Sequence, residues 1–186
     1  LNLNLNKQNI LTGINFEIND GEILSIIGPS GCGKSSILKS IVGIIKEHDG
    51  TILLNKIDIT NWPINKRNIT LAFQDFSLFP HMTLEENMLI ASNSKTDIDY
   101  ILTELDIEYL KDKYPHQMSG GEQQRASVAR AIIYKPQVLL LDEPFSNVDA
   151  ITTKIIRKKI TNIIKKFNIT TIMVTHDLED VFEMSD

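Results

Sequence analysis

The stretch GPSGCGKS, residues 28–35, is the part of the sequence that defines the fold most narrowly. It fits the pattern G-x-x-x-x-G-K-[ST] and stands between a continuous apolar run, residues 22–28, and a segment with apolar residues at helical spacing, residues 34–45. A buried strand, a glycine-rich turn and a helix in this order predict a phosphate-binding P-loop, because glycines let backbone N–H groups approach an anion at a helix N-terminus. Lys34 is expected to reach the β- and γ-phosphates of a nucleotide, and the Ser35 hydroxyl to ligate Mg²⁺.

The composition is that of an ordinary globular protein. The chain has 186 residues, 42% of them hydrophobic and 23% charged, which suffices for one core or for one domain with a small subdomain. The net charge of −5 argues against a protein built mainly to grip nucleic acid. Cys32 is the single cysteine, which excludes an internal disulfide, and we interpret it as a small filler residue of the P-loop rather than a redox thiol. The chain starts at Leu1 and stops without a terminating cap, so we expect truncation at both ends.

Strand and helix patterns alternate along the chain. Period-two alternation predicts half-buried strands in residues 1–7 and around Ile14, Phe16 and Ile18, and Thr83 opens a helix with a capping-box pattern. Further segments with strand character are residues 22–28, 50–60, 68–75, 137–142 and 170–177, and segments with helical character are residues 34–45, 83–92, 96–113, 121–134 and about 150–167. Strand–helix–strand alternation at both ends predicts an α/β layer with parallel strands, which the helical middle interrupts as an inserted subdomain.

A second buried run, VLLLDEP at residues 138–144, ends in two carboxylates. Asp142 and Glu143 follow the strand where α/β sheets bind their ligands. Asp142 is predicted to hold Mg²⁺, usually through water, and Glu143 to polarise an attacking water. A solvated acidic turn is the alternative, which four preceding apolar residues and the P-loop disfavour. Gln74 and His176 also close strand patterns, but each by itself is as typical of a structural polar residue as of a functional one.

The segment MSGGEQQR, residues 118–125, predicts a second anion site. Ser119, Gly120 and Gly121 precede a helix whose first turn offers free N–H groups, without a lysine, a magnesium ligand or a preceding strand. A capping box of Ser119 and Glu122 accounts for the local structure. Capping does not require two consecutive glycines, so a ligand or partner backbone is expected to approach here.

Taken together, these motifs resemble the nucleotide-binding subunits of ATP-binding cassette (ABC) transporters. GPSGCGKS resembles their Walker A motif, LLLDEP their Walker B motif and SGGEQQR their signature motif, while FQD, SNVD and THD resemble the Q-, D- and H-loops. The resemblance covers essentially the whole chain. It implies one ABC ATPase domain over residues 1–186: an α/β P-loop NTPase core with a mostly parallel sheet and an N-terminal antiparallel β-subdomain (1–76 and 134–186), and an inserted α-helical subdomain (77–133).

The resemblance also implies roles for individual residues. Glu143 would be the catalytic base, His176 would contact the γ-phosphate, and Gln74 would sense Mg²⁺ and the membrane partner. The implied Mg²⁺ ligands are Ser35, Gln74 and Asp142. ATP would lie between two head-to-tail cassettes, with Asp149 at their interface. The implied ATP contacts are Gly28, Pro29, Ser30, Gly31, Cys32, Gly33, Lys34, Ser35 and Ser36 of one chain and Ser119, Gly120 and Gly121 of the other.

The function implied by the resemblance is ATP-driven transport. ATP binding would close the dimer and hydrolysis would reopen it, while the helical subdomain docks a permease served by a solute-binding protein, at the cytoplasmic face of the inner membrane and without nucleic acid. LFPHMTLEEN and LDEPFSNVDA are similar to segments of bacterial importer cassettes for ferric iron, polyamines, thiamine or oxyanions. The alternative is a soluble ABC ATPase that drives a protein or nucleic-acid machine. A plain P-loop kinase or GTPase does not account for the signature motif.

Three departures from the family pattern stand out, of which SNVD in place of the more usual S-A-L-D is mild. Glu122 replaces the common glutamine of the signature motif, a change that should leave the backbone N–H groups intact. Leu5 stands where the family has an aromatic residue that stacks on adenine. Either adenine rests on this aliphatic side chain, with weaker binding, or the correspondence shifts near the start of the chain.

Overall fold

The computed structural model describes residues 1–5, 8–46, 48–146 and 150–186. Its strands are β1 (Asn2–Leu5), β2 (Gln8–Leu11), β3 (Ile23–Ile27), β4 (His48–Asp49), β5 (Leu53–Leu54), β6 (Ile57–Asp58), β7 (Ile69–Ala72), β8 (Val138–Asp142) and β9 (Thr170–Thr175). Its α-helices are α1 (Lys34–Val42), α2 (Leu84–Ala91), α3 (Lys95–Glu104), α4 (Gly120–Ile133), α5 (Ala150–Lys166) and α6 (Leu178–Met184).

The central sheet has the order β3-β9-β8-β7 and all its strand pairs are parallel. Strands β8 and β9 are buried along their whole length, as expected where helices cover both faces of a parallel sheet. The register pairs Ile27 with Thr175, Val174 with Asp142, and Leu141 with Ala72. The carboxyl ends of all four strands therefore meet at one edge of the sheet.

Two hydrophobic cores cover the two faces of this sheet. Leu139 and Met173 belong to the core that contains helices α2 to α5, whereas Leu140 and Val174 belong to the core that contains α1 and the N-terminal strands. This division follows from the period of two along each strand. A small antiparallel sheet of order β2-β1-β4 lies on the α1 side. The predicted α/β fold, with a parallel core, an N-terminal antiparallel sheet and helices inserted between β7 and β8, is confirmed.

Three details of the predicted elements are wrong. Residues 12–19 form no strand within the described range 8–46: β2 ends at Leu11, and Gly13 turns the chain with a φ of +67°. Helix α1 ends at Val42 and does not extend to residue 45. The long helical pattern of residues 96–113 breaks after Glu104, because Asp106 takes up a left-handed conformation and a 3₁₀ turn follows it.

Helix α1 ends on a buried arginine. Gly43 closes the helix in the left-handed conformation, and the Arg67 guanidinium donates hydrogen bonds to the carbonyl oxygens of Ser40 (3.2 Å) and Ile41 (2.7 Å). It also donates to the carbonyl oxygen of Thr60 at 2.6 Å. Burial lowers the pKa of Arg67, and the negative end of the helix dipole stabilises its charge. The helix that follows the P-loop is thus fixed at its far end to the segment preceding β7.

None of the helices in the described part of the chain combines the length and the apolar character needed to cross a bilayer.

Candidate functional site

The polar residues singled out in the sequence lie at one edge of the central sheet. The P-loop follows β3, Asp142 ends β8, and His176 directly follows β9. Gln74 lies two residues beyond the end of β7. Because the strands are parallel and in register, four segments that are far apart in sequence meet at one edge of the sheet.

The P-loop wraps around the side chain of Lys34. Its ammonium donates hydrogen bonds to the carbonyl oxygens of Gly28 (2.7 Å) and Pro29 (3.0 Å), and the side chain is buried. Gly33, immediately before α1, has a φ of +98°, and a Cβ there would lie 3.2 Å from the Ile10 carbonyl oxygen. Only glycine fits this position without strain, so the turn brings the N-terminus of α1 and the ammonium together, which is suited to binding an anion.

The rest of the loop is open to solvent. Pro29, Ser30, Gly31 and Cys32 are exposed, and Ser36 lies in the first turn of α1. The sulfur of Cys32 lies over Gly28, where an added Cβ would be only 2.9 Å from it. This close contact requires glycine at residue 28, while the interpretation of Cys32 as a small filler residue stays a prediction.

The Ser35 hydroxyl donates a hydrogen bond of 2.9 Å to Asp142 Oδ1 and so joins the P-loop to the end of β8. Asp142 is only 5% exposed, and burial raises the pKa of its carboxyl, while the bond from Ser35 acts in the opposite direction. A hydroxyl and a carboxylate oxygen side by side suit Mg²⁺, which takes few protein ligands and keeps several waters. Ser35 and Asp142 therefore fit a magnesium ion.

The Glu143 carboxylate is the point where the other two strand ends meet. Gln74 Nε2 lies 3.5 Å from Glu143 Oε2, and His176 Nδ1 lies 3.4 Å from the same oxygen. Glu143 has a φ of +48°, and its N–H donates to the Val174 carbonyl oxygen at 3.0 Å. A left-handed conformation is uncommon for a residue other than glycine, and such residues cluster at functional sites. An amide, an imidazole and a carboxylate converge here, and such a group can hold and deprotonate a water molecule.

Two residues that support this site were missed by the sequence analysis. The buried Gln124 donates from Nε2 to the Glu143 carbonyl oxygen at 2.8 Å, and so connects α4 to the turn after β8. Arg157 is buried beneath the segment that carries His176. Its helical spacing to the buried residues Thr153 and Ile160 was a signal that could have indicated a buried arginine.

The signature segment starts α4. Ser119 caps the helix: its hydroxyl oxygen accepts a hydrogen bond from the Glu122 N–H at 3.4 Å, and its own backbone N–H donates to Glu122 Oε2 at 2.6 Å. The predicted capping box is confirmed. The Tyr109 hydroxyl donates to Glu122 Oε1, which lowers the pKa of that carboxyl. Ser119 and Gly120 are exposed, so the helix N-terminus faces solvent.

Two predicted contacts lie outside the described residues. Asp149 belongs to residues 147–149, and the side chain of Leu5 is likewise outside the described part of the chain. The prediction for Asp149 and the two alternatives for Leu5 therefore stay predictions.

A glycine-rich phosphate cradle, a hydroxyl–carboxylate pair and an acidic strand end together define a P-loop nucleotide-binding protein. The model of the ABC transporter family matches residues 11–146, and the chain belongs to this family.

Several bacterial proteins are similar to the chain. An Fe(3+) ions import ATP-binding protein of Escherichia coli O157:H7 is 43% identical over 95% of this chain and 53% of its own length. A sulfate/thiosulfate import ATP-binding protein of Pectobacterium atrosepticum is 37% identical over 98% of this chain and 60% of its own length. A spermidine/putrescine import ATP-binding protein of Photobacterium profundum is 38% identical over 100% of this chain and 52% of its own length. The chain spans about half the length of most of these curated relatives.

Solved structures are similar over nearly the whole chain. The dimeric structure of MJ0796, a bacterial ABC transporter cassette, superposes with a TM-score of 0.85 at 27% sequence identity and covers 98% of this chain and 88% of its own. A second dimeric structure of that cassette, in a post-hydrolysis state bound to ADP and Pi, gives the same values.

Proposed function

We propose that the chain binds and hydrolyses ATP and thereby energises a transmembrane importer. The observation that carries the proposal is the geometry around Asp142 and Glu143. Asp142 is bonded to Ser35 of the phosphate loop, and the adjacent Glu143 carboxylate lies within 3.5 Å of both Gln74 and His176. A cradle for phosphates and a carboxylate able to activate water thus form a single site.

Each residue then has a defined task. Lys34 exchanges its bonds to the loop carbonyls for the β- and γ-phosphates of ATP. Ser35 and Asp142, with Gln74 as a further oxygen donor, would hold Mg²⁺, which neutralises phosphate charge when bound. Glu143 accepts a proton from the attacking water, and His176 contacts the γ-phosphate.

The exposed start of α4 suits the completion of this site by a second chain. Ser119, Gly120 and Gly121 would bind the γ-phosphate held by the P-loop of the partner cassette, through free N–H groups and the helix dipole. The dimeric cassette that superposes on this chain supports a pair of cassettes, and we infer that the two chains are arranged head to tail. Two copies related by a two-fold axis would enclose two ATP molecules.

A groove beside β7 suits the docking of a permease. It has a volume of about 280 Å³ and lies between β7 and helices α2 and α4. Phe79, Ile90 and Tyr134 present exposed apolar surface there, beside Arg130. Strand β7 leads directly to Gln74, so a segment in the groove would contact the strand that carries one of the site residues. Through this contact the cassette would be held at the cytoplasmic face of the cell membrane.

The relatives favour import over a soluble ATP-driven machine. They are named as import ATP-binding proteins for Fe(3+) ions, sulfate/thiosulfate and spermidine/putrescine. We infer a solute importer of this group, in which a solute-binding protein and the permease select the cargo.

Light scattering of Glu143→Gln with Mg-free ATP tests the proposal. The variant should remain monomeric without ATP and dimerise with it, because loss of the base blocks hydrolysis but not binding. In a separate hydrolysis assay, the ATP turnover of Glu143→Gln should be about 10²–10⁴-fold below that of the wild type, the usual contribution of a general base. Adding Gly120→Asp should prevent dimerisation, because a carboxylate at the start of α4 repels phosphate. Near-normal hydrolysis by Glu143→Gln would contradict the role of Glu143. Dimerisation that survives Gly120→Asp would contradict the shared site.

A further inference from the structure

A cluster of five charged side chains lies beneath the segment that carries His176. Its centre is Arg157 of α5, which is buried, as is its partner Asp180 of α6. Arg157 Nε donates to Asp180 Oδ1 at 2.6 Å. The guanidinium also contacts three more carboxylates of the same segment, namely Asp177 at 2.9 Å, Glu179 at 3.1 Å and Glu183 at 3.5 Å.

The cluster holds the backbone on both sides of His176. Asp180 accepts a hydrogen bond from the Thr175 hydroxyl, and the Thr175 oxygen accepts one from the Asp177 N–H at 3.0 Å. Asp177 in turn caps α6, because its Oδ1 accepts from the Glu179 N–H at 2.9 Å. The residues immediately before and after His176 are thus both bonded into the network that Arg157 organises.

The same guanidinium reaches the turn that carries Glu143. Its Cζ lies 5.7 Å from the centre of the Phe145 ring, two residues beyond Glu143. Arg157 therefore contacts the segments on both sides of the pair formed by His176 Nδ1 and Glu143 Oε2, which are 3.4 Å apart.

His176 depends on such support because its own side chain is poorly enclosed. The imidazole is 55% exposed, so packing does little to fix its position. A reacting group must be held within a fraction of an ångström to contribute fully to catalysis. A buried arginine that faces several carboxylates in fixed geometry can supply this precision through the backbone.

We propose that Arg157 is a positioning residue that holds His176 against Glu143 through Asp180 and Thr175. The inference rests on the proposed ATPase function and adds to it a buried residue that acts through other side chains. Removing the guanidinium leaves four carboxylates facing one another, which should displace the turn at residues 175–177.

The test compares the steady-state ATP hydrolysis of wild type, Arg157→Met, His176→Ala and the double variant. Arg157→Met should lower kcat at least tenfold and change KM by less than threefold, because the P-loop is untouched. The double variant should be no slower than His176→Ala, since residues that act through one group give non-additive losses. Lys159→Met is the matched control: it removes the 2.5 Å ion pair of α5 with Asp106, and kcat should stay within twofold.

Thr175→Val supplies the same test if Arg157→Met fails to fold. It removes only the hydroxyl bonded to Asp180, and its loss of kcat should likewise vanish in the His176→Ala background. Two results would overturn the proposal. One is a double variant whose loss of kcat is the product of the two single losses. The other is a kcat within twofold of wild type for both Arg157→Met and Thr175→Val. An unchanged kcat in His176→Ala would overturn it as well, because Arg157 is argued to act through that residue.

A measurement without ATP separates this inference from the proposed function. The chain has four histidines, so the imidazole NMR signal of His176 can be identified by its loss in His176→Ala. In Arg157→Met this signal should shift or broaden, while those of His81 and His116 stay in place. An unchanged His176 signal in Arg157→Met would overturn the inference, and it would leave the proposed function untouched if the wild-type protein hydrolyses ATP. If the wild-type protein does not hydrolyse ATP but the His176 signal shifts in Arg157→Met, only the proposed function is contradicted.

Discussion

The hydroxyl of Ser35 and the carboxylate of Asp142 are hydrogen-bonded at 2.9 Å, although 107 residues separate them in the chain. The bond joins the phosphate loop to the acidic end of a buried strand. It also leaves a nearly fully buried carboxylate facing the P-loop, and a magnesium ion would offset the cost of that burial.

Asp142→Asn should stabilise the nucleotide-free protein at neutral pH. Burial raises the pKa of Asp142 above its unfolded value, so the contribution of this carboxyl to stability is complete below the unfolded pKa and is lost as the pH rises through the folded pKa. The gain from the amide should be largest near neutral pH, where the wild-type carboxyl is ionised, and should shrink as the pH falls through that raised pKa. Urea unfolding of both proteins at several pH values measures it. Asp58→Asn is the control with the opposite sign, because hydrogen bonds from Thr60 lower the pKa of this exposed carboxyl.

Lys34→Ala should weaken ATP binding at least about tenfold, because hydrogen bonds to a charged partner contribute about 1.5–3 kcal/mol each. Isothermal titration with ATP measures the affinity. Lys158→Ala removes an exposed lysine from α5 and should leave it unchanged. Equal affinities for the two variants would contradict the assignment of the P-loop.

Gly43→Ala should destabilise the protein more than Gly13→Ala. Both glycines have positive φ, at +93° and +67°, so each alanine carries a backbone cost of about 1–2 kcal/mol. A Cβ at Gly43 would lie 2.8 Å from Cζ of Arg67, which its hydrogen bonds hold in place, whereas a Cβ at Gly13 meets nothing within 4 Å. The overpacking should add about 1–3 kcal/mol at residue 43 only. Equal midpoints of denaturant unfolding for the two variants would show that the Arg67 side chain moves away from an added Cβ at no cost.

Ile90→Asp should release the cassette from its permease. Ile90 is 56% exposed in the groove beside β7, and a carboxylate there would have to be buried by a docked apolar segment. The fraction of protein that sediments with membranes of cells containing the complete transporter should fall. Ile155→Asp changes an equally exposed isoleucine of α5 (53%) and should not alter that fraction. Identical sedimentation of the two variants would argue against this groove as the docking surface.

The elements that could be predicted from the sequence are those that depend on local patterns. The P-loop turn, the buried runs of β8 and β9 and the cap at Ser119 each follow from spacing or backbone chemistry within about ten residues. Predictions failed where a single residue overrode a longer pattern. The alternation from Ile14 to Ile18 looked like a strand, but Gly13 turns the chain, and Asp106 ends a helix that its neighbours would continue.

Local sequence patterns were enough to identify the chemical groups: a phosphate-binding loop, a pair of carboxylates, a glutamine and a histidine at strand ends, and a capped glycine pair at a helix start. Long-range packing, in contrast, brings Gln74 and His176 to one oxygen of Glu143 and buries Asp142 against Ser35. It also decided that Arg157 lies beneath the histidine. These contacts join residues 20 to 107 positions apart, and the register of parallel strands and the packing of helices on the sheet fix them. No local pattern encodes such distances, because register is settled only when whole elements pack together.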